Sequence, residues 1–83
     1  MLIEVTREHI SQGQRQECAL CPVALAIKAV IPCTYCAVGV GSVQMIRRKQ
    51  WYDLDLPAKV QKFIKEFDLG LPVRPFSFEL ELL

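Results

Sequence analysis

Cys18 to Cys36 reads CALCPVALAIKAVIPCTYC, two Cys-x-x-Cys pairs enclosing an almost wholly apolar run. The fold turns on which of two readings of this stretch holds. The spacing C-x2-C-x11-C-x2-C approaches the four-thiolate pattern of zinc ribbons. Cys18, Cys21, Cys33 and Cys36 would then close a tetrahedral zinc site that helps a short chain fold. Against that stands the run between the pairs, in which Val23, Ala24, Leu25, Ala26, Ile27, Ala29, Val30 and Ile31 are apolar and Lys28 is the only charge. Pro22 suits a first helical turn and Pro32 a stop. A straight helix here would separate Cys21 from Cys33 by about 18 Å, too far for thiolates that share one metal. The helix and a single four-cysteine zinc site therefore exclude each other, and the composition favours the helix. Cys18-x-x-Cys21 before a helix also suggests a thioredoxin-like redox pair, but such pairs follow a core strand. Here Ser11 to Glu17 is polar and loop-like. Under the helix reading, the thiols pack as small apolar groups.

Outward from this centre, the alternation of Leu2 to Val5 predicts a short strand, and Thr6 an N-cap for a turn of helix over Arg7 to Gln12 that Gly13 ends. Thr34 to Ile46 reads as one long strand. Val38 and Val40 share one parity and Val43 and Met45 the other, so a β-bulge near Gly41-Ser42 is expected. Arg47-Arg48-Lys49-Gln50 forms a basic hairpin tip, and Trp51 to Leu56 returns as a strand. Pro57 opens a helix whose Val60, Phe63, Ile64 and Phe67 recur at core spacing, with Gly70 as its cap. Phe76, Phe78, Leu80 and Leu82 alternate with polar residues as a last, half-buried strand.

The predicted order is β-α-β-β-α-β over a single α+β domain, residues 1–83. That is the split βαβ pattern of ferredoxin-like folds, a small sandwich with an antiparallel sheet packed on two helices. Right-handed crossovers would place the terminal strands side by side. The open sheet face would then carry Glu4, Trp51, Asp53, Glu79 and Glu81.

With 83 residues, 52% of them hydrophobic, and a net charge of +1, the chain reads as a folded domain with a small core and no bulk attraction to nucleic acid. No segment reaches the ~18 to 20 apolar residues of a membrane span. The start, MLIEVTREH, lacks the pattern of a signal peptide, so a reducing cytoplasm and unpaired cysteines are expected.

VTREHISQG, CPVALAI and KFIKEFDLGLPVRPFSFEL together resemble segments of a group of small uncharacterised proteins of bacteria, phages and prophages. The resemblance covers most of the chain and is weakest from Pro32 to Leu56. It brings no catalytic residues with it. It implies a phage-related context, in which small proteins of this size often bind a host component.

No hydrolytic triad can be assembled, and no carboxylates are paired in a way that suggests a pocket. The expected function is non-enzymatic binding of a protein partner through Trp51 and the basic tip Arg47, Arg48 and Lys49, with no cofactor. Homodimerisation would also suit a small core with exposed Trp51 and Leu83. Two alternatives stand beside it. One is a zinc-stabilised four-cysteine domain, for which nucleic acid becomes a credible partner. The other is a nucleotide or phosphate binder using Arg7, His9, Arg15 and the tip.

Overall fold

The computed structural model describes residues 1–39 and 41–81. The chain runs β1 (Leu2–Val5), α1 (Arg7–Gln12), α2 (Pro22–Val30), β2 (Tyr35–Val38), β3 (Ser42–Arg47), β4 (Gln50–Asp55), α3 (Ala58–Asp68) and β5 (Phe76–Glu79). This is a small α+β protein, whose described residues form three helices and two antiparallel sheets.

The apolar run between the cysteine pairs is helical. In α2, Pro22 occupies the first turn, and Val23, Ala24, Ala26 and Ile27 are buried. Its N-cap is Cys21, whose Sγ accepts the Ala24 N–H at 3.4 Å. Thr6 caps α1 by a reciprocal pair of bonds. Its hydroxyl accepts from the His9 N–H at 3.3 Å, and His9 Nδ1 accepts from the Thr6 N–H at 3.1 Å. α3 ends in a Schellman turn in which Gly70, at φ +80°, lets Leu71 N–H reach Glu66 C=O and its own N–H reach Phe67 C=O, both at 3.0 Å.

Three expectations are corrected. The stretch Thr34 to Ile46 is not one bulged strand but a hairpin, β2 and β3, closed by a Gly39 N–H bond to Ser42 C=O at 2.8 Å. Cys36 pairs with Met45 and Val38 with Val43. Directly opposed residues share a face, so reversing the chain changes the parity of the buried set without a bulge. The Gly39-x-Gly41 spacing marks this turn, and Val40 lies outside the described residues.

The second correction concerns the sheet. The terminal strands do lie side by side, β1 pairing with β5 from Leu2–Glu79 to Val5–Phe76. They form their own two-stranded sheet, however, and β2-β3-β4 form another. The single sheet of the ferredoxin-like pattern would need β4 to bond the terminal pair, and among the described residues it bonds only β3. The helices are three rather than two, because the short α1 packs beside α2.

The two sheets share one core. α2 packs on both β1 and β2. Ile3 and Val5 from the terminal sheet meet Val38, Val43 and Met45 from the other in the same buried cluster, which α3 completes with Val60, Phe63 and Phe67. Phe76 stands 4.7 Å from Phe63, ring centre to ring centre, and continues the aromatic packing to Phe78. The last expected strand position, Leu82, and the expected exposed Leu83 lie outside the described residues.

Candidate functional site

The site is built on the outward face of β2-β3-β4. Cys36, Val38, Val43 and Met45 point into the core, so the intervening residues point out. The register sets Tyr35 opposite Ile46 and Ile46 opposite Trp51, making a row across three strands. Tyr35 and Trp51 stack with ring centroids 6.1 Å apart and planes 19° from parallel, with Ile46 between their strands. Both rings remain open to solvent, at 43% and 57% exposure. Aromatics opposed on a sheet face are held by their strands, so this surface loses little side-chain freedom on contact.

The basic tip adjoins the row directly. Arg47 pairs with Gln50, leaving Arg48 and Lys49 as a two-residue loop with φ of +52° and +64°. Positive φ at both central positions defines a type I′ turn, whose twist matches a hairpin but which ordinarily carries Asn-Gly. The expected hairpin tip is present, and Trp51 follows it within one residue.

The other expected binding residues each have their own surroundings. Arg7 lines a shallow depression with Glu4, Thr6 and Pro75. The His9 ring is engaged in capping α1. The Arg15 guanidinium lies against Gly70, beside the Gln16 N–H bond to Asp68 Oδ1 at 2.9 Å. Gln16 and Asp68 border the same small cavity as Gly39. That is the end of β3 remote from Arg47, about 17 Å along the strand. The structure therefore joins Trp51 to the tip and sets Arg15 toward the opposite end of the sheet.

Sequence reasoning missed Tyr35 and Ile46. The alternation that buries Cys36 and Val38 would have turned Tyr35 outward, but only the hairpin register sets it in line with Trp51.

The four cysteines divide by burial. Cys18 is exposed, Cys33 half-buried, and Cys21 and Cys36 are buried. Loss of solvent pushes both buried thiols up, the Cys36 thiol to about 12. At Cys21, the bonds from Ala24 and Val23 offset part of that rise. Among the described residues, no three His, Cys, Asp or Glu side chains converge as a metal site. α2 separates the two cysteine pairs along the chain, but the Val38 N–H bond to Cys18 C=O at 2.8 Å brings the first pair beside β2, which carries Cys36.

Comparison of the chain with protein-family models, with curated proteins and with solved structures returns no match. No helix among the described residues is long and apolar enough to cross a membrane.

Proposed function

We propose that this domain is a non-enzymatic protein-binding module whose contact surface is the Tyr35-Ile46-Trp51 row flanked by Arg47, Arg48 and Lys49. The observation that carries this reading is the stacked Tyr35–Trp51 pair, exposed on a sheet face while the other aromatic residues of the fold are half-buried or buried. Tyr, Trp and Arg are the residue types that concentrate binding energy at protein interfaces. The cationic tip beside them favours a partner whose rim is acidic. Binding rather than catalysis is supported by the placement of ionisable groups. No charged side chain among the described residues is buried, and the two thiols whose ionisation burial displaces, Cys21 and Cys36, are packed in the core. The unpaired cysteines suit a reducing cytoplasm, and the resemblance to small phage proteins suits capture of a host component.

The test is a pair of substitutions that leave the core alone. Trp51→Ala with Arg47→Ala should abolish partner capture while the far-UV circular dichroism and the unfolding midpoint stay near wild type. Capture profiles that do not change would refute the proposal. A protein that binds only nucleic acid would assign the same surface to a different partner.

A further inference from the structure

The gap between the two sheets is itself a structural feature. β4 and β5 do not bond one another, and a cavity of about 660 Å³ opens between them, lined by Tyr52, Asp53, Leu54, Asp55, Glu79 and Glu81. Hydrogen bonding shows which backbone groups face it. Leu56 N–H bonds Gly41 C=O at 3.0 Å, so the even-numbered residues of β4 spend their backbone groups on β3. In an antiparallel ladder the alternate residues then direct theirs to the opposite edge. Those residues are Trp51, Asp53 and Asp55. On the other side, Met1 and Leu80 exchange two bonds of 2.9 Å, so even-numbered residues of β5 serve β1. Ser77, Glu79 and Glu81 direct their backbone groups into the gap. Two strand edges thus face each other across open space.

The side chains define what would fit. Asp53, Asp55, Glu79 and Glu81 are exposed on the rim, while Tyr52 and Leu54 are half-buried on the floor. Tyr52 and Leu54 have the parity of the core, and they stay half-open because nothing covers that side of β4. One rim carboxylate, Glu79, has a cation nearby, the Met1 amino group at 3.2 Å. The other three have no ion-pair partner among the described residues.

We infer that this gap accepts an extended segment of a partner protein in which basic and apolar residues alternate. The segment adds as a strand along the β4 edge. Its Lys or Arg side chains meet the rim carboxylates, and its apolar side chains cover Tyr52 and Leu54. The four lining residues of β4, Tyr52 to Asp55, correspond to a segment of about four or five residues at ~3.3 Å per residue. The inference goes beyond the proposed contact face, since it uses an edge and not the Tyr35-Trp51 row, and it stands or falls separately.

The experiment follows backbone amide hydrogen exchange of the full chain by NMR, with millimolar acetyl-Lys-Val-Lys-Val-Lys-amide as probe. The outward N–H groups of Asp53 and Asp55 should slow about tenfold at nine-tenths occupancy, corresponding to about 1.4 kcal/mol of protection. Acetyl-Glu-Val-Glu-Val-Glu-amide should leave them unchanged. So should acetyl-Lys-Pro-Lys-Pro-Lys-amide, which has the same charge but whose prolines remove alternate N–H groups and interrupt a ladder. Trp51→Ala should not alter the result, which separates it from the proposed contact face. No slowing with the Lys-Val probe would overturn the inference, as would equal slowing with the Lys-Pro probe, which would reduce the site to nonspecific charge attraction.

Discussion

Replacing Arg48-Lys49 with Asn-Gly should make the protein more stable and less able to bind. Both residues sit at positive φ, +52° and +64°. An L-residue held in that region costs about 1 kcal/mol or slightly more. Asn tolerates it and Gly adopts it without a steric cost, although Gly gives back about 0.5–1 kcal/mol through the unfolded chain. Both side chains are exposed, so no packing is lost. The net gain is about 1 kcal/mol, which in a domain of this size raises the thermal midpoint by about 4–8 °C. The double variant Arg48→Ala/Lys49→Ala separates the two effects, since Ala removes the charges and keeps the backbone cost. Its midpoint should stay near wild type while binding falls. Circular dichroism melts of the three proteins decide the matter. If the Asn-Gly variant melts at or below the wild-type temperature, the assignment of a strained type I′ turn is refuted, and with it the argument that two cations occupy unfavourable positions because the surface needs them.

Two further outcomes follow from the core. In the fold, the Cys36 thiol stays protonated to about 12, whereas in the unfolded chain it ionises near its ordinary value of 9.0. The unfolded state therefore loses its proton first, so stability is full below pH 9 and declines above it by about 1.4 kcal/mol per pH unit. The raised Cys21 pKa acts in the same direction. Urea midpoints measured from neutral pH to about pH 10.5 should fall, and Cys36→Ala should flatten the decline; a flat wild-type profile would contradict the burial of these thiols. Separately, a Cβ on Gly13 would lie 2.5 Å from Pro22 Cδ, at the junction of the α1 connector with α2. Gly13→Ala should destabilise by about 1–3 kcal/mol in the same urea assay, and a neutral result would show that the junction can open freely.

The local elements were legible because each rests on a short-range rule. Thr6 as a cap, the Val60-Phe63-Ile64-Phe67 stripe and Gly70 at the end of α3 all depend on residues within one or two turns. The hairpin at Gly39 was harder. A parity change at a glycine is the mark of a bulge and equally of a reversal, and only the long-range pairing of Cys36 with Met45 distinguishes them. The sheet arrangement was least legible. Alternation tells which face of a strand is buried, but not which strand lies beside it. β4 could have bonded the terminal pair without altering one position of its pattern.

That ambiguity explains the surface residues as well. Asp53, Glu79 and Glu81 do gather, as a ferredoxin-like sheet would require, and Asp55 joins them, but they do so across a gap. Glu4 does not line that gap and sits on β1 opposite Ser77. The carboxylates give a physical reason for the gap. If β4 and β5 zipped together, Asp53 and Asp55 would come within one strand spacing, about 4.8 Å, of Glu79 and Glu81, and like charges directly opposed destabilise a sheet. A strand carrying cations along the β4 edge offsets the repulsion and bonds the backbone groups that edge leaves open. Neutralising Asp53 and Asp55 as Asn should instead favour direct closure. The repulsion that keeps the sheets apart is thus also what selects a basic segment to join them.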